Sequence, residues 1–262
     1  TVLAARFSRA DYPIAGVTAR SDVSRTRVRS LLPNVGIAEP AAVVRASDIL
    51  VLAVPDDVLA DVVSEIAPYV RHGQLIFHVS GRHGRAVLEP LARAGVTTMA
   101  IHPAMTFTGT ELDVDRSCVY GVTALDHDQD AVETIISALG GSSIQIAEDA
   151  RITYHAALAH GSNHLTTVVN QAMDLLRSIG AEDPGEVLRP LLNAALDNTL
   201  AFGDLALTGP VVRGDVETVR GHLDAIDDRS IDATYRALAE ATTNRAERFG
   251  NLNGEVADEL RE

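Results

Sequence analysis

A change of pattern near residue 150 limits the folds open to this chain more than any other feature. Before it, short apolar runs alternate with helix-like segments; after it, no convincing strand pattern occurs. Strands are predicted at residues 14–19, 49–54, 75–79, 97–101, 119–124 and 144–146. Between them lie predicted helices at 1–9, 23–32, 57–69, 85–93 and 129–139, the last ended by Gly140-Gly141. Strands of this kind, alternating with helices, imply a mostly parallel sheet covered on both faces. The second half reads as helices at 150–179, 184–204, 215–226 and 230–249, with Gly180 and Pro184 ending the first. Residues 251–262 are polar and acidic, and fraying is expected there. The expected organisation is an α/β domain over 1–149 and an all-α domain over 150–262.

Charge then excludes classes of partner. The formal net charge is −14, and all 22 cationic residues are Arg. A chain without Lys has no Lys acid, Lys base or Schiff-base Lys. Nucleic acid and anionic membranes need clustered cations, so neither is expected as a partner. No apolar stretch approaches the roughly 20 residues needed to span a bilayer, and no secretion signal is evident, so a cytoplasmic protein is expected. The single cysteine, Cys118, excludes an intrachain disulfide and reads as a buried thiol.

Alternation of this kind is the Rossmann-type arrangement, in which a first strand is followed by a G-x-G-x-x-G turn and a helix that holds a pyrophosphate. This sequence contains no such motif, and residues 1–5 resemble the helix that comes after it. The expectation is that a strand and the glycine loop lie upstream; the alternative is a domain that never binds a dinucleotide. The run 14–19 falls where the second strand belongs, and its end carries cofactor preference. Asp or Glu there suits the NAD ribose, whereas Arg accommodates the NADP phosphate. Here the chain reads Ala19-Arg20-Ser21-Asp22-Val23-Ser24-Arg25. Arg20, Ser21 and Arg25 suit a phosphate monoester. NADP is therefore expected, with NAD left possible by Asp22. The competing reading is a solvated Arg and Ser turn that caps the next helix.

Several motifs carry a family resemblance. Ser47-Asp48-Ile49-Leu50-Val51-Leu52-Ala53-Val54-Pro55-Asp56 is similar to a strand shared by 6-phosphogluconate dehydrogenase-like enzymes, pyrroline-5-carboxylate reductases and deazaflavin-dependent NADP reductases. His78-Val79-Ser80-Gly81 and Ile101-His102-Pro103-Ala104-Met105-Thr106-Phe107 resemble signatures of a branch with a helical C-terminal domain of unassigned function. Tyr154-His155-Ala156-Ala157, Asn163-His164-Leu165, Leu207-Thr208-Gly209-Pro210 and Arg213-Gly214-Asp215 fit the same branch. The resemblance implies an NAD(P)-dependent oxidoreductase acting on a small 2-oxo acid or imine, with ketopantoate reduction as a lead. The alternative is a non-catalytic dinucleotide sensor or dimer scaffold.

The candidate site residues lie in both halves. Val54 and Pro55, Ser80-Gly81 and His102-Pro103 end successive strands, so their turns should converge on the crevice where open α/β sheets bind ligands. Ser80 reads as a cofactor or substrate contact, or as a plain turn residue. His102 reads as a substrate contact held extended by Pro103. On the predicted long helix, His160, His164, Thr167 and Gln171 share one face, with Asn163 adjacent. The resemblance places His160 where related dehydrogenases carry a proton-donating Lys, and Asn163 and His164 beside it. Imidazole can play that part near neutral pH. The other readings are mutual pairing of these polar residues, or a metal site, for which no third ligand is evident. Arg213 is the candidate carboxylate clamp, or else an ion-pair partner of Asp215 or Glu217. The length of the helix also predicts a homodimer.

Overall fold

The computed structural model describes residues 1–261. The chain divides into two compact units, Thr1–Ala159 and the residues from His160 onward. In the first unit, helices α1 (Val2–Arg9), α2 (Asp22–Leu31) and α3 (Pro40–Ala46) precede strand β1 (Ile49–Leu52). Then come α4 (Leu59–Ile66), β2 (Leu75–His78), α5 (Glu89–Ala92), β3 (Thr97–Pro103), α6 (Leu112–Asp115), β4 (Cys118–Thr123), α7 (Gln129–Leu139), β5 (Gly141–Gln145) and α8 (Arg151–Leu158).

The strands form one sheet in the order β1-β2-β3-β4-β5. β1, β2 and β3 run parallel, β4 is antiparallel to β3, and β5 is parallel to β4. Successive side chains on a strand face opposite sides, and the core divides accordingly. Phe77, Met99, Ile101, Tyr120 and Val122 pack against Leu3 and Phe7 of α1 and Val132, Ile135 and Leu139 of α7. Leu50, Leu52 and Ile76 pack on the other face against Val43 and Val44 of α3 and Leu59, Val63 and Ile66 of α4. Gly140, at φ +71°, ends α7 in the left-handed conformation that closes many helices and lets the chain turn at once into β5.

A π-helical turn spans Ala159–His164, and the second unit continues as α9 (Leu165–Ser178), α10 (Pro184–Phe202), α11 (Val216–Ala225), α12 (Arg229–Arg248) and α13 (Gly254–Arg261). Asp183, Asp215 and Asp228 cap α10, α11 and α12 by accepting from backbone N–H groups of the first turns.

Three expectations are corrected. Residues 14–19 form no strand; only Val17 makes an isolated bridge, to Ile37, because no neighbouring strand offers a ladder along the rest. The predicted helix 150–179 is not continuous α-helix, since the π turn at Ala159–His164 interrupts it and shifts the angular register of the residues beyond. The tail expected to fray forms α13 instead. Asn253 Oδ1 accepts from Val256 N at its start, and Leu252 and Ala257 are buried beside α12 and α11. Its buried face is made of small and well-spaced residues in a polar sequence, which composition conceals.

Candidate active site

The ends of β2 and β3, the adjoining part of β4 and the first turns of α8 bring one group of polar side chains together. His78, at the end of β2, is fully buried. Its Nδ1 accepts from Ser80 N (3.1 Å), and its Nε2 lies 2.8 Å from Gly84 O. Nε2 must therefore carry the proton and donate. Both nitrogens are satisfied by backbone, and burial pulls the imidazole down to about 4. Ser80 is buried as well, and its Oγ accepts from His83 N (3.1 Å). In this turn the Ser80 hydroxyl braces the loop, as the plainer reading of the sequence allowed.

His102, near the end of β3, is half-buried, and its Nδ1 lies 2.9 Å from Tyr154 Oη. Its imidazole is also lowered to about 4, first by burial, then by His155 and the Arg151 cation. The room for this pair comes from missing side chains. Gly121 is the antiparallel partner of His102, and a Cβ there would sit 2.6 Å from the Tyr154 ring. A Cβ on Gly81 would sit 2.6 Å from His155 and 3.1 Å from His102. His155 stands edge-on to His102, with ring centroids 6.3 Å apart.

Arg151 lies beneath them, 1% exposed. Its Nε donates to Thr123 Oγ1 (2.7 Å), and its Nη2 to Ala100 O (2.9 Å) and Gly121 O (3.1 Å). Its Nη1 has no partner among the described residues, and its guanidinium lies 5.8 Å from the Tyr154 ring centroid. Every group that Arg151 bonds is uncharged. Burial raises the Tyr154 phenol above its ordinary value. In the sequence Tyr154 and His155 stand out only within a resemblance motif, and Arg151 does not stand out at all. The available signal was spacing, because residues three and four apart on a helix share a face.

Other candidate residues are more scattered. Val54 and Pro55 follow β1; Val54 packs on the α4 side of the sheet, and Pro55 O accepts from Val58 N (3.2 Å). Arg20, Arg25 and Arg29 line one cleft of about 580 Å³ with Thr18, Ala38 and Pro40. Within it Arg20 pairs with Glu65 (3.2 Å), while Arg25 Nε donates to Ala19 O (3.2 Å). Ser21 caps α2, its Oγ accepting from Ser24 N (3.2 Å). In the second unit, His160 Nδ1 and His164 Nδ1 are 2.9 Å apart, within hydrogen-bond distance of each other. Asn163 and Arg213 are exposed, and Arg213 forms no ion pair among the described residues. Gln171 donates to Thr234 Oγ1 (3.1 Å), which ties α9 to α12. Among the described residues no cluster of three potential metal ligands occurs, and no helix is long and apolar enough to cross a membrane.

Comparisons with known proteins agree with this architecture. Residues 1–103 match the family model of the Rossmann-like domain, and residues 118–242 match that of a domain of unknown function, DUF2520. No curated protein matches the chain in sequence. A candidate NADP oxidoreductase from Bacteroides fragilis superposes with a TM-score of 0.78 at 21% identity, covering 92% of this chain and 93% of that one. A reductive aminase from Aspergillus terreus, solved with NADPH and ethyl levulinate, gives 0.69 at 16% identity, over 99% and 93%. An imine reductase from Myxococcus stipitatus, solved with NADP+, gives 0.68 at 16% identity, over 100% and 95%. At these identities the likeness is one of fold.

Proposed function

We propose that this pairing of a Rossmann-like domain with a DUF2520 domain is an NADP-dependent oxidoreductase that reduces the carbonyl of a small 2-oxo acid or the C=N bond of an imine. The observation that carries the reading is the cleft lined by Arg20, Arg25 and Arg29. Three guanidinium groups around one open cavity fit a phosphate monoester, and Arg cannot be neutralised near neutral pH. Glu65 and Asp22 already hold Arg20 and Arg25 in loose, exposed pairs, so a phosphate would exchange weak partners for a stronger one. The solved neighbours with NADP+ and NADPH support the same cofactor.

The bound dinucleotide would supply hydride. The chain's own residues would bind, orient and protonate. Ser80, His102, Tyr154 and His155 gather at the C-terminal ends of β2 and β3, the edge where open α/β sheets receive ligands. His78 fixes the Ser80 turn from below. Arg213, exposed and without an ion pair among the described residues, is the carboxylate-binding candidate of the second unit. His160, His164 and Asn163 are the candidate polar contacts of the π turn, a distortion often found at functional sites. A homodimer is part of this reading.

The test is cofactor preference in the full-length protein. NADPH should bind more tightly than NADH by calorimetry, and NADPH should be oxidised with a panel of cyclic imines and 2-oxo acids. Arg20→Ala should remove most of the preference, about 1.5–3 kcal/mol for a charged hydrogen bond. Equal affinity for the two cofactors in the parent protein would sink the assignment of the cleft.

A further inference from the structure

The reduction proposed above needs a proton as well as a hydride, and the first unit holds a group built to give one. Tyr154 is half-buried, and its ring rests over Gly121 with Oη 2.9 Å from His102 Nδ1. The buried Arg151 lies 5.8 Å from the ring and bonds only neutral acceptors. A guanidinium so placed is a fixed positive charge that no carboxylate cancels by direct contact. Such a charge stabilises a phenolate more than a phenol, so it favours the state reached after the proton has left.

Resting on the reductase reading, we propose that Tyr154 is the catalytic acid and His102 its positioning and relay residue, with Arg151 as the buried charge that stabilises the phenolate. Hydride adds to the carbon of a C=O or neutral C=N bond, which gains two electrons as the reduced nicotinamide is oxidised. The O–H bond of Tyr154 breaks as a new O–H or N–H bond forms on the substrate. The phenolate recovers a proton from His102 Nδ1–H as that ring takes one from solvent at Nε2, and exchange with solvent then returns the ring to its resting Nδ1–H tautomer before the next turnover. The sum is one hydride and one solvent proton for each double bond reduced. The resting charges agree with these roles. The phenol is held protonated by burial, and His102 is held neutral by burial together with His155 and Arg151, against a weaker opposing pull from Asp56. A neutral His102 with its hydrogen on Nδ1 donates to Tyr154 Oη and leaves the phenolic hydrogen free for substrate.

Two measurements on the full-length protein test this. The imidazole nitrogen NMR shifts of His102 near neutral pH should show the Nδ1–H tautomer, and Tyr154→Phe should perturb them. An Nε2–H tautomer, or shifts untouched by the substitution, overturns the proposal without any need for turnover. In steady-state NADPH oxidation, Tyr154→Phe should lower kcat by roughly 10²–10⁴-fold and abolish the solvent deuterium isotope effect, with NADPH affinity and Tm close to wild type. His102→Asn, which keeps an amide donor but cannot relay a proton, should lower kcat by about 10²-fold, the low side of general-acid contributions. Wild-type kcat in Tyr154→Phe, with the loss appearing in His160→Ala instead, overturns the assignment and returns the acid to the π turn while the reductase reading stands. A wild-type protein that fails to bind NADPH overturns both.

Discussion

At the residue scale, the most informative side chains are buried and polar. His78 shows how a buried imidazole is kept neutral: backbone partners on both nitrogens fix its tautomer, and burial lowers it to about 4. The consequence for stability has a definite sign. In the unfolded chain His titrates near 6.5, so between about pH 6.5 and pH 4 the unfolded state binds a proton that the folded state refuses. Stability contributed by neutral His78 is complete above that window and is lost as pH falls through it. The loss is on the order of 3 kcal/mol, with no further change from this group below pH 4. His102 adds to the same trend. His78→Gln, which keeps a donor for Gly84 O but does not titrate, should flatten the decline in urea-unfolding free energy across the window. An unchanged slope would show that His78 is protonated in the folded protein. Arg6 makes a parallel case on the opposite face of the sheet, donating to Tyr120 Oη (2.7 Å) and Asp113 O (2.7 Å) from a buried position. Neither Arg6 nor Arg151 announces itself in a sequence where every cation is Arg.

At the element scale, strands and helices keep closely to the hydrophobic periods where one face is buried. The predicted helix 129–139 is α7 residue for residue, since Val132, Ile135, Ile136 and Leu139 mark its inner face and Gly140 ends it. Elements fail where the deciding fact lies elsewhere in the chain. The apolar run 14–19 has strand composition but no ladder, and α13 has a polar composition but a buried anchor. That anchor gives a prediction. Ala257 is fully buried, and α13 packs on α12 and α11. Ala257→Glu would force a carboxylate and added volume into that contact, a destabilisation of about 1–3 kcal/mol from overpacking alone. Hydrogen exchange should show residues 254–261 losing protection. Retained protection would mean that the helix docks through other residues.

At the scale of the whole molecule, several large apolar side chains of the second unit are exposed. Ile179 (80% exposed), Leu191 (65%), Leu200 (78%) and Leu205 (82%) stand open on or beside α9 and α10. Apolar side chains gathered into one exposed patch mark an interaction face. In the homodimer reading a second copy covers it. Light scattering at micromolar concentration should give twice the 27.8 kDa chain mass, and Leu191→Asp with Leu200→Asp should give the monomer. A wild-type monomer would remove the dimer from the proposed function.

The mostly parallel sheet and its strands from residue 49 to residue 145 were legible in the chain before any coordinates. These depend on local periodicity and on the direction in which parallel strands run, and both are written in neighbouring residues. Which polar groups meet was settled by three-dimensional packing alone. Tyr154 reaches His102 because β4 runs antiparallel to β3 and sets Gly121 opposite His102, leaving a gap the size of one ring. Arg151 lies buried because the carbonyls of Ala100 and Gly121 face it from two adjacent strands. His160 and His164, aligned by helical spacing as a candidate pair, come within hydrogen-bond distance of each other in the π turn. Pairings across more than fifty residues depend on strand register and on absent side chains, and neither leaves a periodic trace in the chain.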